Sequence, residues 1–514
     1  MSRRCSRMRV PVESKELFMP LLRVAFVALL VMLSSVSDVL AAKDKAPPNI
    51  VLVMCDDLGY GDLACYGSPS VKTPHIDRFA SRGMRFTDFY SAAPNCSPSR
   101  TGLMTGRTPT RLGIHNWIPW DSPMHVTRKE TTIATLLRGA GYDTCLVGKW
   151  HINGGFHRKD QPQPNDHGFN HWLATQNNAI PTHHNPDNFY RNGKAVGKIE
   201  GFAAQIVTDE AIQWLEKIRD PRKPFFMFVT YHEPHEPIAS DHKYAKLYPA
   251  EGKPSRYDPT VTSLQAHHGN ITQMDANFGR LLAALESNQL DSKTLVIFTS
   301  DNGPAMTAAH PHGFTTGLRQ YKGYTYEGGI RVPGIAVWPG KIEAGSTNDT
   351  PVGGIDMLPT LAEIGQVPEV KTSPLDGTSI TKAFEGKHIK RDKPLYWHFN
   401  AARTGPKVAI RMGNWKLLAT VTGEAIKPYS DILEKNQQIL KSAELDQFEL
   451  YNLKKDPNET QDLSSKKTAK LEEMIALMRP MYSEVRKESV TWPAWQSPRW
   501  EGKRIQEFVE GLKK

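Results

Sequence analysis

Five short apolar runs constrain what this chain can become: Asn49-Ile-Val-Leu-Val-Met54, Cys145-Leu-Val147, Pro224-Phe-Phe-Met-Phe-Val-Thr230, Thr294-Leu-Val-Ile-Phe-Thr299 and Gly334-Ile-Ala-Val-Trp338. None is long enough to cross a membrane, and none alternates apolar with polar residues, so each reads as a strand covered on both faces. Helical patterns lie between them. One runs over 73–83, where Thr73-Pro74 supplies a cap and a first-turn proline and Gly83 a stop; others cover 131–138, 203–218 and 264–285. Strands alternating with helices predict an α/β fold with a mostly parallel central sheet flanked by helices. From about Asp392 the pattern changes to short strands at 394–398, 408–411 and 415–419 and a helix over 466–479. That change predicts a smaller C-terminal α+β domain on an antiparallel sheet, over 391–500, after a main domain over 47–390.

At the N-terminus, Arg3, Arg4, Arg7, Arg9 and Arg23 precede an apolar stretch at 24–33 and then Val39-Leu-Ala-Ala42. A basic flank, an apolar core too short to span a bilayer and small residues at its exit describe a signal peptide over 1–41, cleaved after Ala41. The mature chain is then expected to be secreted or periplasmic, with no stable membrane insertion. Removing six Lys/Arg and three Asp/Glu with that segment takes the formal charge from +10 to about +7. The basic residues are dispersed rather than gathered into runs, which argues against nucleic acid and suits a small anionic substrate. Of the five cysteines, Cys5 leaves with the signal, and four over the remaining length are too sparse for a disulfide framework. Cys55, Cys65 and Cys145 read as buried small hydrophobes.

In an open parallel sheet, ligands gather at the carboxyl ends of the strands. Here the residues that follow the runs are Asp56-Asp57, Gly148-Lys149-Trp150-His151, His232-Glu233-Pro234-His235 and Asp301-Asn302-Gly303. Asp56, Asp57, Asp301 and Asn302 offer only oxygen ligands, which suits a hard cation such as Ca²⁺ or, second, Mg²⁺. Any one Asp-Asp or Asp-Asn-Gly is more often an ordinary turn, but two such clusters closing two buried strands favour function. Next comes Cys96-Ser-Pro-Ser-Arg100, in which Pro98 and Ser99 suit a first helical turn. Cys96 is thereby placed at a helix N-terminus, where an acidic, reactive thiol is expected.

Taken with Asp56-Asp57-Leu-Gly-Tyr-Gly-Asp62, Thr73-Pro-His-Ile-Asp77, Gly148-Lys-Trp-His151, Asp301-Asn-Gly303 and Lys322-Gly-Tyr-Thr-Tyr-Glu-Gly-Gly-Ile-Arg-Val-Pro333, this motif resembles the formylglycine-dependent sulfatases. The resemblance spans about 47–345, is looser to near 465, and is nearest to the arylsulfatase A and N-acetylgalactosamine-6-sulfatase types. It implies an alkaline-phosphatase-like fold and a maturation enzyme that oxidises Cys96 to formylglycine. The hydrate of that aldehyde would attack sulfur and form a covalent sulfated intermediate. It further implies Ca²⁺ held by Asp56, Asp57, Asp301, Asn302 and the modified Cys96, with Arg100 steadying the hydrate and Lys149 and Lys322 clamping sulfate. His151 would be the base that releases sulfate, and His235 the acid for the leaving alcohol.

A sulfated carbohydrate is the expected substrate, given export and a basic chain. The rivals are a phosphate or phosphonate monoester hydrolase of the same superfamily, and a silent carbohydrate-binding homologue whose Cys96 stays a thiol. His232, His310 and His312 stand near these motifs without an assigned role, and His183-His184 reads as loop. Trp117, Trp120, Trp172 and Trp397 are open to either sugar stacking or core packing.

Overall fold

The computed structural model describes Met8, residues 47–370, 372–424, Ile426 and 430–513. The expected signal peptide over 1–41, Met8 apart, lies outside the described residues. Sixteen strands follow in chain order: β1 (Asn49–Asp56), β2 (Met84–Phe86), β3 (Phe89–Tyr90), β4 (Asp143–Lys149), β5 (His171–Thr175), β6 (Phe189–Arg191), β7 (Lys194–Gly197), β8 (Phe225–Pro234), β9 (Thr294–Ser300), β10 (Gly334–Val337), β11 (Ser346–Asn348), β12 (Val352–Gly353), β13 (Leu395–His398), β14 (Val408–Met412), β15 (Trp415–Val421) and β16 (Leu445–Asn452). Ten of them form one sheet in the order β11-β2-β10-β9-β1-β8-β4-β5-β6-β7. The middle five, β9-β1-β8-β4-β5, are all parallel, while β10, β6 and β7 run antiparallel to their neighbours on the flanks.

The apolar runs lie in the middle of this sheet because both of its faces are covered. Along β1, Ile50, Leu52 and Met54 pack into one core and Val51, Val53 and Cys55 into another, all at most 1% exposed. A strand with no solvent face has no use for alternating polarity. Five of the helices matter below: α1 (Pro74–Ser81), α2 (Cys96–Thr105), α3 (Ser263–Ser287), α4 (Thr468–Glu488) and α5 (Trp500–Gly511). Helix α3 opens with a capping box, in which Thr262 and Gln265 each bond the other's backbone N–H.

The C-terminal strands form the expected antiparallel sheet in the order β13-β14-β15-β16. One face packs Leu395, Trp397, Ala409 and Leu418 against Tyr90 and Tyr326 of the main body, and the other carries α4. Helix α4 runs through Pro480 rather than stopping before it. Met474, Met478, Tyr482 and Val485 continue one buried stripe past the proline, which stands on the exposed side. Burial of that stripe outweighs the lost backbone bond. Among the described residues no helix is long and apolar enough to cross a membrane.

Candidate active site

The five parallel strands point their carboxyl ends at one rim, which gathers residues far apart in sequence. Strand β1 delivers Asp56 and Asp57, β4 delivers Lys149 and His151, β5 leads to Gln176 and Asn177, β8 carries His232 and leads to His235, and β9 leads to Asp301 and Asn302. At two of these exits the backbone turns sharply, with Asp57 at φ 65° and His151 at φ 60°. Gly148, just before the rim, has φ 106°, and a Cβ there would lie 1.8 Å from the carbonyl oxygen of Thr230, so only glycine lets β4 and β8 approach this closely.

Asp56, Asp57, Arg100, Lys149, Asp301 and Asn302 are at most 2% exposed. Lys149 Nζ is 2.6 Å from Asp56 Oδ2, and Lys322 Nζ is 2.6 Å from Asp57 Oδ1. Arg100 donates from Nε to Asp301 Oδ2 at 3.0 Å and from Nη1 to the carbonyl of Lys149 at 2.9 Å. Burial alone would push Asp56 toward the neutral acid, but Lys149, His235 and Arg100 together hold it well below the usual carboxylate range. Asp301 goes the other way, to about 7, because burial and the charge of Asp56 outweigh Arg100. Three carboxylates therefore face three cationic side chains.

Three buried oxygens in this cluster, Asp56 Oδ1, Asp57 Oδ2 and Asn302 Oδ1, have no hydrogen-bond partner among the described residues. Ligand atoms of Asp56, Asp57 and His235 all lie within 4.8 Å of one another. Orphaned buried carboxylate and amide oxygens are costly unless something positive meets them. The donor set is dominated by oxygen and fits a hard divalent cation.

Cys96 is the first residue of α2, and Asn95 caps the helix by accepting from Cys96 N at 2.8 Å. The expected helix start is thus present, but the expected acidic thiol is not. Burial pushes the Cys96 thiol up, and the nearby ammonium groups of Lys149 and Lys322 do not reverse it. Its sulfur donates to Asn95 Oδ1 at 3.2 Å. Left as cysteine, this residue is a buried, protonated and weak nucleophile.

The two rim histidines have fixed tautomers. His151 Nε2 lies 3.1 Å from the carbonyl of Ile118, to which it donates, so Nδ1 is a bare lone pair, buried and without a partner. Burial, then Lys149 and Arg100, keep that imidazole well below its ordinary range and hence neutral. His235 Nδ1 donates to the carbonyl of Glu236 at 2.5 Å, which directs Nε2 toward Asp57 Oδ2 at 3.6 Å. Burial lowers His235 despite the opposing pull of Asp56 and Asp57.

Above this charged floor opens a cleft of about 380 Å³, with Cys96, His151, His235 and Lys322 at its base. Its walls include Trp117, Trp120, Asn177, Arg403, Arg499, Trp500 and Glu501. The sequence patterns singled out Trp117 and Trp120 but missed the others. Asn177 follows a fifth strand end, β5, and could have been found by the same rule. Nothing local marks Arg403, or marks 497–505 as returning to the rim. Trp172 and Trp397 are buried at 1% and 2% and belong to the core.

The remaining histidines stand back from the cleft. His232 bonds Thr175 Oγ1 at 2.7 Å beneath the rim, and His310 stacks on Tyr257. His312 bonds Ser263 on α3 at 2.9 Å. His183 and His184 diverge, the first buried 3.8 Å from Glu233 and the second exposed and stacked on Phe202.

Comparison with known proteins agrees with this arrangement. The Sulfatase family matches residues 48–367, and the family described as N-sulphoglucosamine sulphohydrolase, C-terminal, matches 319–426. The chain is 31% identical to rat (Rattus norvegicus) N-acetylgalactosamine-6-sulfatase over 76% of its own length and 74% of the relative's. It is 33% identical to human (Homo sapiens) arylsulfatase A over 81% and 83%. Among solved structures, Ps i-CgsB in complex with k-i-k-neocarrahexaose superposes with a TM-score of 0.73 at 28% identity, covering 90% of this chain and 98% of that one. The chain belongs to the sulfatase family, the formylglycine-dependent branch of the alkaline-phosphatase-like superfamily, and is a sulfuric ester hydrolase.

Proposed function

We propose that this chain is an exported sulfatase acting on a sulfated carbohydrate, with Cys96 oxidised to formylglycine by a maturation enzyme and Ca²⁺ as its resident cation. The observation that carries the reading is the floor of the cleft. There Cys96, a poor nucleophile as a thiol, faces Lys149 and Lys322 beside three orphaned oxygens. With the three carboxylates ionised against three cationic side chains, a dication is offset by the singly charged sulfate ester together with the ionised nucleophile, which leaves no buried net charge.

Asp56, Asp57, Asp301, Asn302 and the modified Cys96 would hold the cation, which supplies positive charge to polarise the nucleophile and offset that of sulfate. The hydrate of formylglycine offers one hydroxyl to attack sulfur and a second whose proton can be removed to expel sulfate. Arg100, anchored on Asp301 and the Lys149 carbonyl, holds α2 against the rim. Lys149 and Lys322 clamp the tetrahedral anion. His151 accepts the proton at Nδ1, since its Nε2 is committed to Ile118. His235 delivers a proton from Nε2 to the departing sugar oxygen, and the burial that lowers its basicity makes its imidazolium a stronger acid. Arg403 and Arg499 on the walls favour an anionic substrate, and Trp117 presents apolar surface to a sugar. The basic and apolar 1–41 segment directs export to a secreted or periplasmic location.

The test is protein produced beside a formylglycine-generating enzyme. Mass spectrometry of the Cys96 peptide should show conversion, and aryl sulfate and a panel of sulfated glycans should release sulfate. Chelation should abolish the activity and Ca²⁺ restore it. Faster turnover of aryl phosphate would move the chain to phosphate ester chemistry. Full carbohydrate binding with an unconverted Cys96 would make it a silent binding protein.

A further inference from the structure

The cleft is not the end of the concave surface. A second cavity of about 200 Å³ lies beside it and shares Trp120, Trp500 and Glu501 with it as a common wall. A space of that size is the volume of about seven waters at about 30 Å³ each.

The wall is a built one. Trp120 and Trp500 stack with ring centres 4.9 Å apart, His157 stacks on Trp120 at 4.6 Å, and the guanidinium of Arg504 sits over Trp500 at 5.4 Å. This column ties the start of α5 to the strand-end rim, and Asn177 Nδ2 adds a hydrogen bond to Glu501 Oε2 at 2.6 Å.

Beyond the column the second cavity is lined by Phe156, Tyr190 and Ala195, with Gln176 and Asn188 as its amides. Gln176 is 6% exposed, and its Nε2 donates to the carbonyls of Ile118 and Asn153 at 3.0 and 2.8 Å. That pairing fixes the amide and leaves Oε1 a buried acceptor with no donor. On the cleft side, Asn177 Oδ1 is in the same state. Gln176 and Asn177 are therefore fixed amides, one lining each cavity.

The charge of the second cavity differs from that of the first. Its Asp187 is paired twice with Arg504, at 2.9 and 2.7 Å, whereas the catalytic cleft carries Lys322, Arg403 and Arg499. Among the described residues that line it, Arg504 is paired with Asp187 and His157 with Asp121, so aromatic carbon and amides match an uncharged pyranose rather than a second sulfate or a uronate.

We propose that this second cavity is a subsite for an uncharged sugar ring next to the sulfated one, so that the enzyme's substrate is an oligosaccharide or polysaccharide. The proposal rests on the carbohydrate-sulfatase reading above. It places the sulfated ring over Cys96 and its neutral neighbour beyond the Trp120–Trp500 column. Ala195 is exposed on β7, so Ala195→Trp fills the second cavity without removing a core contact.

The experiment measures sulfate release from matched pairs: galactose 4-sulfate against neocarrabiose 4-sulfate, and N-acetylgalactosamine 6-sulfate against the uronate-bearing chondroitin 6-sulfate disaccharide. The readout is the ratio of kcat/KM, disaccharide to monosaccharide. Wild type should favour the neutral-neighbour disaccharide about tenfold, and A195W should bring that ratio near one. Tyr190→Ala, which opens the cavity instead of filling it, should lower the same ratio. Equal rates within a pair, a preference that A195W leaves intact, or a preference confined to the uronate pair would overturn the subsite while leaving the carbohydrate reading in place. Turnover of aryl sulfate with no release from any sugar would overturn both.

Discussion

Replacing Lys416 by methionine tests whether the C-terminal sheet holds the Lys322 segment in place. Lys416, on β15 and fully buried, sits 2.9 Å from Glu327 Oε1 and 2.8 Å from Glu459 Oε1. Glu459 Oε2 accepts from the backbone N–H of Glu327 at 2.6 Å, and Tyr90 donates to Glu327 Oε2 at 2.7 Å. The node thus grips the chain five residues after Lys322. Methionine keeps the reach but removes the charge, so the buried Glu327 carboxylate loses its ammonium partner and Glu459 is left beside it. Breaking a buried ion pair from one side costs about 3–5 kcal/mol. At about 2.1 cal/mol/K per residue over roughly 470 residues, unfolding entropy is near 1 kcal/mol/K, so Tm should drop by about 3–5 °C.

The same node sets a pH signature. Burial, with the charge of Glu327 and against Lys416, pushes Glu459 up to about 7, above the roughly 4.3 of an unfolded glutamate. The folded chain therefore holds a proton that the unfolded chain releases. That contribution to stability is full below about 4.3 and is lost as pH rises through 7. Removing Lys416 raises the folded value further and extends the loss upward. At pH 6 the acid is neutral in both proteins, whereas at pH 8 only the variant still has to hold its proton. Between pH 6 and pH 8 the gap between them should widen by about 1.4 kcal/mol, or about 1 °C. Scanning fluorimetry at pH 6 and pH 8 reads it, and kcat/KM on aryl sulfate should fall by about tenfold or more as Lys322 loses its support. A Tm loss of the same size at both pH values, or unchanged kcat/KM in the folded variant, refutes the reasoning.

Two further outcomes follow from the rim. His151→Ala should lower kcat by about 10²–10⁴ with little change in Tm, since the lone pair at Nδ1 is lost while the cleft stays intact; activity within fivefold of wild type would remove His151 from the base role. Burial pushes Glu501 up to about 7, so above that pH it puts a negative charge into the cleft, and kcat/KM for a sulfated sugar should decline as pH rises through 7. Glu501→Gln should abolish that limb, and a pH profile identical to wild type counts against it.

The centre of the sheet was legible because its strands are covered on both faces, and double burial writes itself as unbroken apolar runs. The rim residues were legible for the same reason, since a run that ends abruptly in Asp-Asp or Asp-Asn marks where the sheet meets its ligand. The flanks were not. The β6–β7 hairpin is largely exposed and short, so it carries no apolar period, and β5 is only five residues long. The sequence pattern places this helix over 466–479, and α4 instead continues through Pro480, because the stripe through Tyr482 and Val485 overrides the local tendency of proline to stop a helix. Helix α5 buries only Val509 fully, so its 500–511 segment gives little sign that Trp500 and Glu501 close the cleft. The thiol of Cys96 was misjudged because a helix N-terminus is visible in sequence and desolvation is not.

That desolvation has a temporal side. Cys96 is 3% exposed and lies close to Asp56 of β1, Lys149 of β4 and Asp301 just past β9, which are brought together by parallel pairing between residues as much as 245 apart. Such pairing is late and slow, because long loops must close before any contact repays them. An enzyme that has to oxidise the β-carbon of Cys96 can reach it only on a chain whose sheet has not yet assembled. On the proposed conversion of Cys96, the interval between synthesis and sheet closure is the window in which the nucleophile is made, and a variant that folds faster would be less often converted.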